Sequence, residues 1–72
     1  MEYTIVIERA NRNLSAYAPD LPGCVATGAT PDEVVREMRS AMALHIESLR
    51  EHREPVPDPR CTAAVVVVAT AG

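Results

Sequence analysis

The sequence predicts an α+β fold in the order β-β-β-α-β: one four-stranded mixed sheet with one long helix on one face. Three observations carry that reading. Residues 3–9 alternate, with Tyr3, Ile5 and Ile7 on one face and Thr4, Val6 and Glu8 on the other, the period of a strand. From Pro31 the apolar positions Val35, Met38, Met42, Ile46 and Leu49 recur at three- and four-residue spacing, flanked by Val34 and Ala41, the period of a helix. Residues 62–70 contain four consecutive valines, and a continuous β-branched run marks a strand buried on both faces.

The first strand spans about residues 3–9. Residues 10–13, with Asn11 and Asn13 able to take left-handed backbone angles, form the turn of a hairpin, and residues 14–18 are its return strand. Residues 19–33 are the most structured stretch. Pro19 and Pro22 fix φ, and Gly23 supplies the positive φ of a sharp reversal. Residues 24–28 are a third short strand closed by Gly28. Thr30 then caps a helix, with Pro31 in its first position and Glu33 reaching back in a capping box. The helix runs to about residue 52, where Pro55, Pro57 and Pro59 forbid its continuation. They form a stiff connector to the last strand, residues 62–70, placed beside the first strand by a right-handed crossover.

One helix shields one face of such a sheet, yet Val6 and half of the valine run point the other way. An open apolar face marks an interaction surface. At 72 residues the chain is a single domain spanning 1–72, and it buries only ~60% of the surface it exposes when unfolded. A core of this size supplies about 3–5 kcal/mol, and oligomerisation is a common remedy. A homodimer or higher homo-oligomer, formed through the open sheet face or edge, is therefore expected.

Composition excludes several functions. The net charge is −3, and the seven basic residues are all arginine, unlike the clustered basic face of a nucleic-acid binder. The longest apolar run, residues 63–69, is too short to span a bilayer. Met1 leads directly into alternation rather than a signal sequence, so Cys24 and Cys61 are expected as reduced thiols in a cytoplasmic protein.

Catalytic chemistry is weakly supported. A β-β-β-α-β unit is similar in outline to the core of ribonuclease H, where a two-metal nuclease needs several carboxylates within ~4 Å of paired metals. Glu2 and Glu8 fall only at the ends of the first strand, and the last strand has no acid. Cys24 and Cys61 lie far apart and His45 and His52 are separated by two helical turns, unlike the close ligand pairs of zinc sites. Cys24 as a nucleophile would need a base and an orienting group; His45 is the one candidate base, and nothing completes the set. A compact core hydrophobe is the better reading of Cys24. Tyr3 and Tyr17, without basic neighbours, read as core or interface rather than as base-stacking platforms. No metal or cofactor is expected.

The 19–33 stretch resembles the signature of the HicB family of antitoxins. The likeness lies in a Tyr-bearing first strand (Tyr3), then Pro19, Asp20, Leu21, Pro22, Gly23 and Cys24, then Gly28, Thr30 and Glu33 opening the helix, and Pro55 and Pro57 after it. It covers essentially the whole chain. The resemblance implies a partial ribonuclease H-like fold without nuclease activity, and a function as a non-catalytic antitoxin. Its implied partner is a HicA-like mRNA-cleaving toxin, whose active site the antitoxin covers. Many family members also carry a C-terminal DNA-binding domain, whereas this sequence stops at Gly72, so no direct DNA binding is expected of this chain. Candidate toxin contacts are Asp20 in the turn, Glu47 and Glu51 on the exposed helix face, and Glu54 and Asp58 in the connector. The alternative is a stand-alone HicB-like structural or regulatory binding module with no cognate toxin.

Overall fold

The computed structural model describes residues 1–70; the last two positions of the expected 1–72 domain lie outside the described residues. Three strands, β1 (Val6–Arg9), β2 (Leu14–Tyr17) and β3 (Val25–Gly28), precede one helix, α1 (Pro31–Glu51). The sheet is an antiparallel meander in the order β1-β2-β3, and the class is α+β as expected.

Register assigns the faces. Val6, Tyr17 and Val25 form one cross-strand row, and Ile7, Ala16 and Ala26 form the next. Because successive side chains alternate and Ala16 is buried, the second row faces α1 and the first faces away from it. Tyr17 and Val25 are exposed on that far side, so the open apolar sheet face expected from Val6 is present.

The core is Ala16, Ala18, Leu21, Cys24, Val34 and Met38. The buried stripe of α1 is centred on Val34 and Met38, whereas Val35 is partly exposed. Periodicity locates a stripe, but the neighbouring sheet decides its centre. Here α1 packs against β3 and β2, which turns Val34 inwards and leaves Val35 at the flank.

Two consecutive turns link β2 to β3. Leu21 N–H donates to Ala18 C=O at 3.0 Å, and Cys24 N–H donates to Leu21 C=O at 3.2 Å. Each turn has proline at its second position, and in the second turn Gly23 follows at φ +83°, the conformation of a type II turn. Thr30 caps α1, its Oγ1 accepting from Glu33 N–H at 3.2 Å, while Glu33 Oε2 accepts from Ala29 N–H. The box is therefore closed one residue before the cap.

At its other end α1 stops ahead of the prolines. Arg53 adopts φ +57°, Glu54 N–H donates to Leu49 C=O and Arg53 N–H to Arg50 C=O. This is a Schellman closure with arginine where glycine is usual.

The expected fourth strand is not formed. Residues 54–70 have no regular secondary structure and no ladder partners, and the four valines stand in solvent. Among the described residues the sheet stays three-stranded, so neither the four-stranded mixed sheet nor the ribonuclease H-like arrangement is completed there. The physical reason is that β-branched composition suits a strand only where a neighbouring edge receives it. The prolines and an anchor at residues 60–61 carry this segment to the end of the sheet and beyond.

Candidate functional site

The anchor is built on Asp20, the third residue of the first turn. Its Oδ2 accepts from Arg60 N–H at 2.8 Å and Cys61 N–H at 2.9 Å, and its Oδ1 accepts from the Cys61 thiol at 3.5 Å. The backbone N–H groups of Cys61 and Arg60 hold the Asp20 carboxyl below the usual carboxylate range, since donors to the charged form favour it. The same contact raises the Cys61 thiol, and burial raises that of Cys24. Two further bonds fasten the tail to the start of the chain: Tyr3 Oη donates to Pro57 C=O at 2.6 Å, and Thr4 Oγ1 to Cys61 C=O at 2.8 Å.

Beside this anchor lies an open groove of about 890 Å³ between the N-terminal segment and α1, with Tyr3, Ile5, Val35, Met38, Met42 and Ile46 as its apolar lining. Arg39, Glu47 and Arg50 also border it. A concave apolar floor with few polar groups suits a partner side chain or strand better than a charged substrate.

The sequence-predicted contacts fall in different places. Glu47 reaches the groove, and Glu51 lies one turn further along the same exposed helix face. Glu54 and Asp58 are exposed on the connector. Asp20 differs from these four, because its carboxylate is already engaged by the tail. Among the described residues no three His, Cys, Asp or Glu side chains converge as a metal site would require. Cys24 is buried in the core, Cys61 is exposed, and both are free thiols. A thiol with a raised pKa is a poor nucleophile at neutral pH. The His52 ring Nδ1 sits 2.8 Å from Ser48 C=O and serves the helix end.

Taken together, the signature residues are fasteners. Tyr3 and Asp20 hold the tail, Pro19, Pro22 and Gly23 set the double turn, and Thr30 and Glu33 start the helix. Gly28 lets β3 and α1 touch: a Cβ there would meet Val34 N at 2.8 Å. Thr4 and Cys61 were missed by sequence reasoning. Contacts separated by 57 residues leave no local pattern that could have shown them.

Comparison with known proteins places the chain in a family of antitoxins of bacterial toxin–antitoxin systems. The family described as HicB-like antitoxin of bacterial toxin–antitoxin systems matches residues 3–69, and the chain belongs to it. Among its relatives is a 14.9 kDa protein of the rep-hol intergenic region of Haemophilus phage HP1. It is 37% identical over 57 residues, which are 79% of this chain and 43% of the relative; the chain thus spans under half of the phage protein's length. A UPF0150 protein of Thermoplasma acidophilum is 34% identical over 79% of this chain and 84% of its own. A UPF0150 protein of Synechocystis sp. is 36% identical over 76% of this chain and 71% of its own. No solved structure matches. No helix among the described residues is long and apolar enough to cross a membrane.

Proposed function

We propose that this chain is a non-catalytic antitoxin that binds and neutralises a HicA-like mRNA-cleaving toxin in the cytoplasm. The family match over residues 3–69 carries the reading. Electrostatics support it: a domain of pI near 5.2 is steered towards a partner that must be basic to hold RNA. Glu47, Glu51, Glu54 and Asp58 supply the acidic contact surface. Asp20 contributes by placing the tail beside that surface. Rim charges of this kind tune association rate and salt dependence, so no single one is indispensable. The chain works as a homodimer, its open sheet face or edge being the contact, and does not bind DNA by itself.

Co-expression with the neighbouring open reading frame tests the reading. The neighbour alone arrests growth, and this chain restores growth and co-purifies with it. If the chain does neither, the antitoxin reading fails and a stand-alone binding module without a toxin replaces it.

A further inference from the structure

The segment richest in β-branched residues has no strand partner among the described residues of its own chain. Val65, Val66, Val67 and Val68 are 97%, 77%, 94% and 70% exposed. The molecule is correspondingly extended, 54 Å long against 27 and 16 Å in the other directions. Its radius of gyration is 14.6 Å, against about 11 Å for a compact chain of this length. Its accessible surface is 5891 Å², whereas a folded monomer of 7.8 kDa exposes ~4,400 Å². The excess is ~1,500 Å² per chain. Two such excesses make ~3,000 Å², the size of an obligate homodimer interface.

The same chain carries a receptor of matching shape. Among the described residues β1 pairs only with β2, which leaves its outer edge free of them. On the helix side of that edge, Ile7 is 40% exposed because α1 lies over β3 and β2 instead. Ile5 and the apolar groove continue this surface towards the chain start. On the opposite side of the edge stands Val6, in one row with Tyr17 and Val25. A strand laid there would turn alternate side chains to the groove and to the open face. Both sets would need to be apolar, and four valines in succession provide both. The outer edge of β3 is a poorer receptor: its helix side is Ala26 and Gly28, and Gly28 is already closed against the backbone of α1.

The tail does not take this place on its own sheet. Asp20 and Thr4 pin it at residues 60–61, and from there the valines lead away into solvent. Nine residues of strand reach ~30 Å, far enough to lie along a second molecule.

From this geometry we infer that residues 62–70 of one copy add as a fourth strand along the free β1 edge of a second copy, reciprocally. Each sheet is completed by its partner's valines. This deepens the two-copy assembly proposed above and is independent of the toxin.

The test uses the 72-residue chain without toxin. Sedimentation equilibrium at micromolar concentration reads a dimer for the unaltered protein. The tail variant Val65→Asp/Val67→Asp and the edge variant Ile7→Asp each read as monomers with unchanged helix content. Their equimolar mixture regains dimer, because one contributes an intact tail and the other an intact edge. Isotope-filtered nuclear Overhauser effects connect valine methyls of one chain to Ile5 and Ile7 methyls of the other. An unaltered chain that sediments as a monomer overturns both the exchange and the dimer. A dimer retained by Ile7→Asp, or a mixture that stays monomeric, overturns the exchange in favour of tail-to-tail pairing. If Ile7→Asp fails to fold, the methyl contacts of the unaltered dimer decide, and their absence overturns the exchange. Valines ordered only when a toxin is added overturn it in favour of a tail kept for that partner. A failed growth rescue affects none of these readouts.

Discussion

Gly28→Ala is the most informative single change in the fold. The added Cβ would stand 2.8 Å from Val34 N, 3.0 Å from Val34 Cα and 3.2 Å from Glu33 C. All three are backbone atoms in the first turn of α1, so no rotamer change relieves the clash. The helix must instead lift from β3, and its nearest side chain, Val34, is fully buried. Overpacking of this sort costs about 1–3 kcal/mol. Alanine recovers about 0.4–1 kcal/mol by restricting the unfolded chain, which leaves a net loss of about 1–2 kcal/mol. In a domain this small each kcal/mol moves Tm by about 4–8 °C, so the variant melts about 5–15 °C lower. Far-UV circular dichroism melts at one fixed protein concentration measure it. Gly23→Ala is the control: nothing lies within 4 Å of its Cβ, but φ is +83°, so it loses stability through backbone strain alone. A Gly28→Ala variant that melts with the unaltered protein refutes the close-approach argument.

Thr30→Ala removes the acceptor for Glu33 N–H and lowers stability by about 0.5–2 kcal/mol; a chemical-denaturation midpoint identical to that of the unaltered protein would count against the cap. The tail anchor depends on acid. Asp20 has a depressed folded-state pKa, so its contribution is complete above the unfolded value of about 3.9 and is lost as pH falls from there through the folded value. The amide resonances of Arg60 and Cys61 should shift together in that window and lose the shift in Asp20→Ala. Amides that stay unmoved through the titration would exclude the contact.

Local chemistry was legible and distant chemistry was not. Gly23, Pro22 and Thr30 act within a few residues of themselves, and the structure has the positive φ and the cap that their types imply. The helix was readable from its period, but the inward residue is Val34 rather than Val35, because the packing partner and not the period sets the centre. The prolines after α1 read as its stop, whereas Arg53 closes it first in a conformation that its residue type disfavours. Asp20 reads as a turn acid because nothing near it in sequence announces a partner 40 residues away. The valine run reads as a strand on composition, but a strand also needs an edge, and composition does not say whose.

The hydrogen bonds that tie the tail to Tyr3, Thr4 and Asp20 also set an order of events. The main packed pairs, β1 with β2, β2 with β3, and α1 with β3 and β2, join neighbours in sequence or elements one apart, so the meander and helix close short loops and form early. The tail contacts span 40 to 57 residues, and they close last, after the surface that receives them exists. In the reverse direction they are the first to release, since they are few and lie largely at the surface. The tail can therefore detach and dock again while the sheet and helix stay folded, and amide exchange beyond residue 55 should run far ahead of exchange in α1. A change of partner by this segment would then proceed at the rate of a local opening rather than at that of global unfolding.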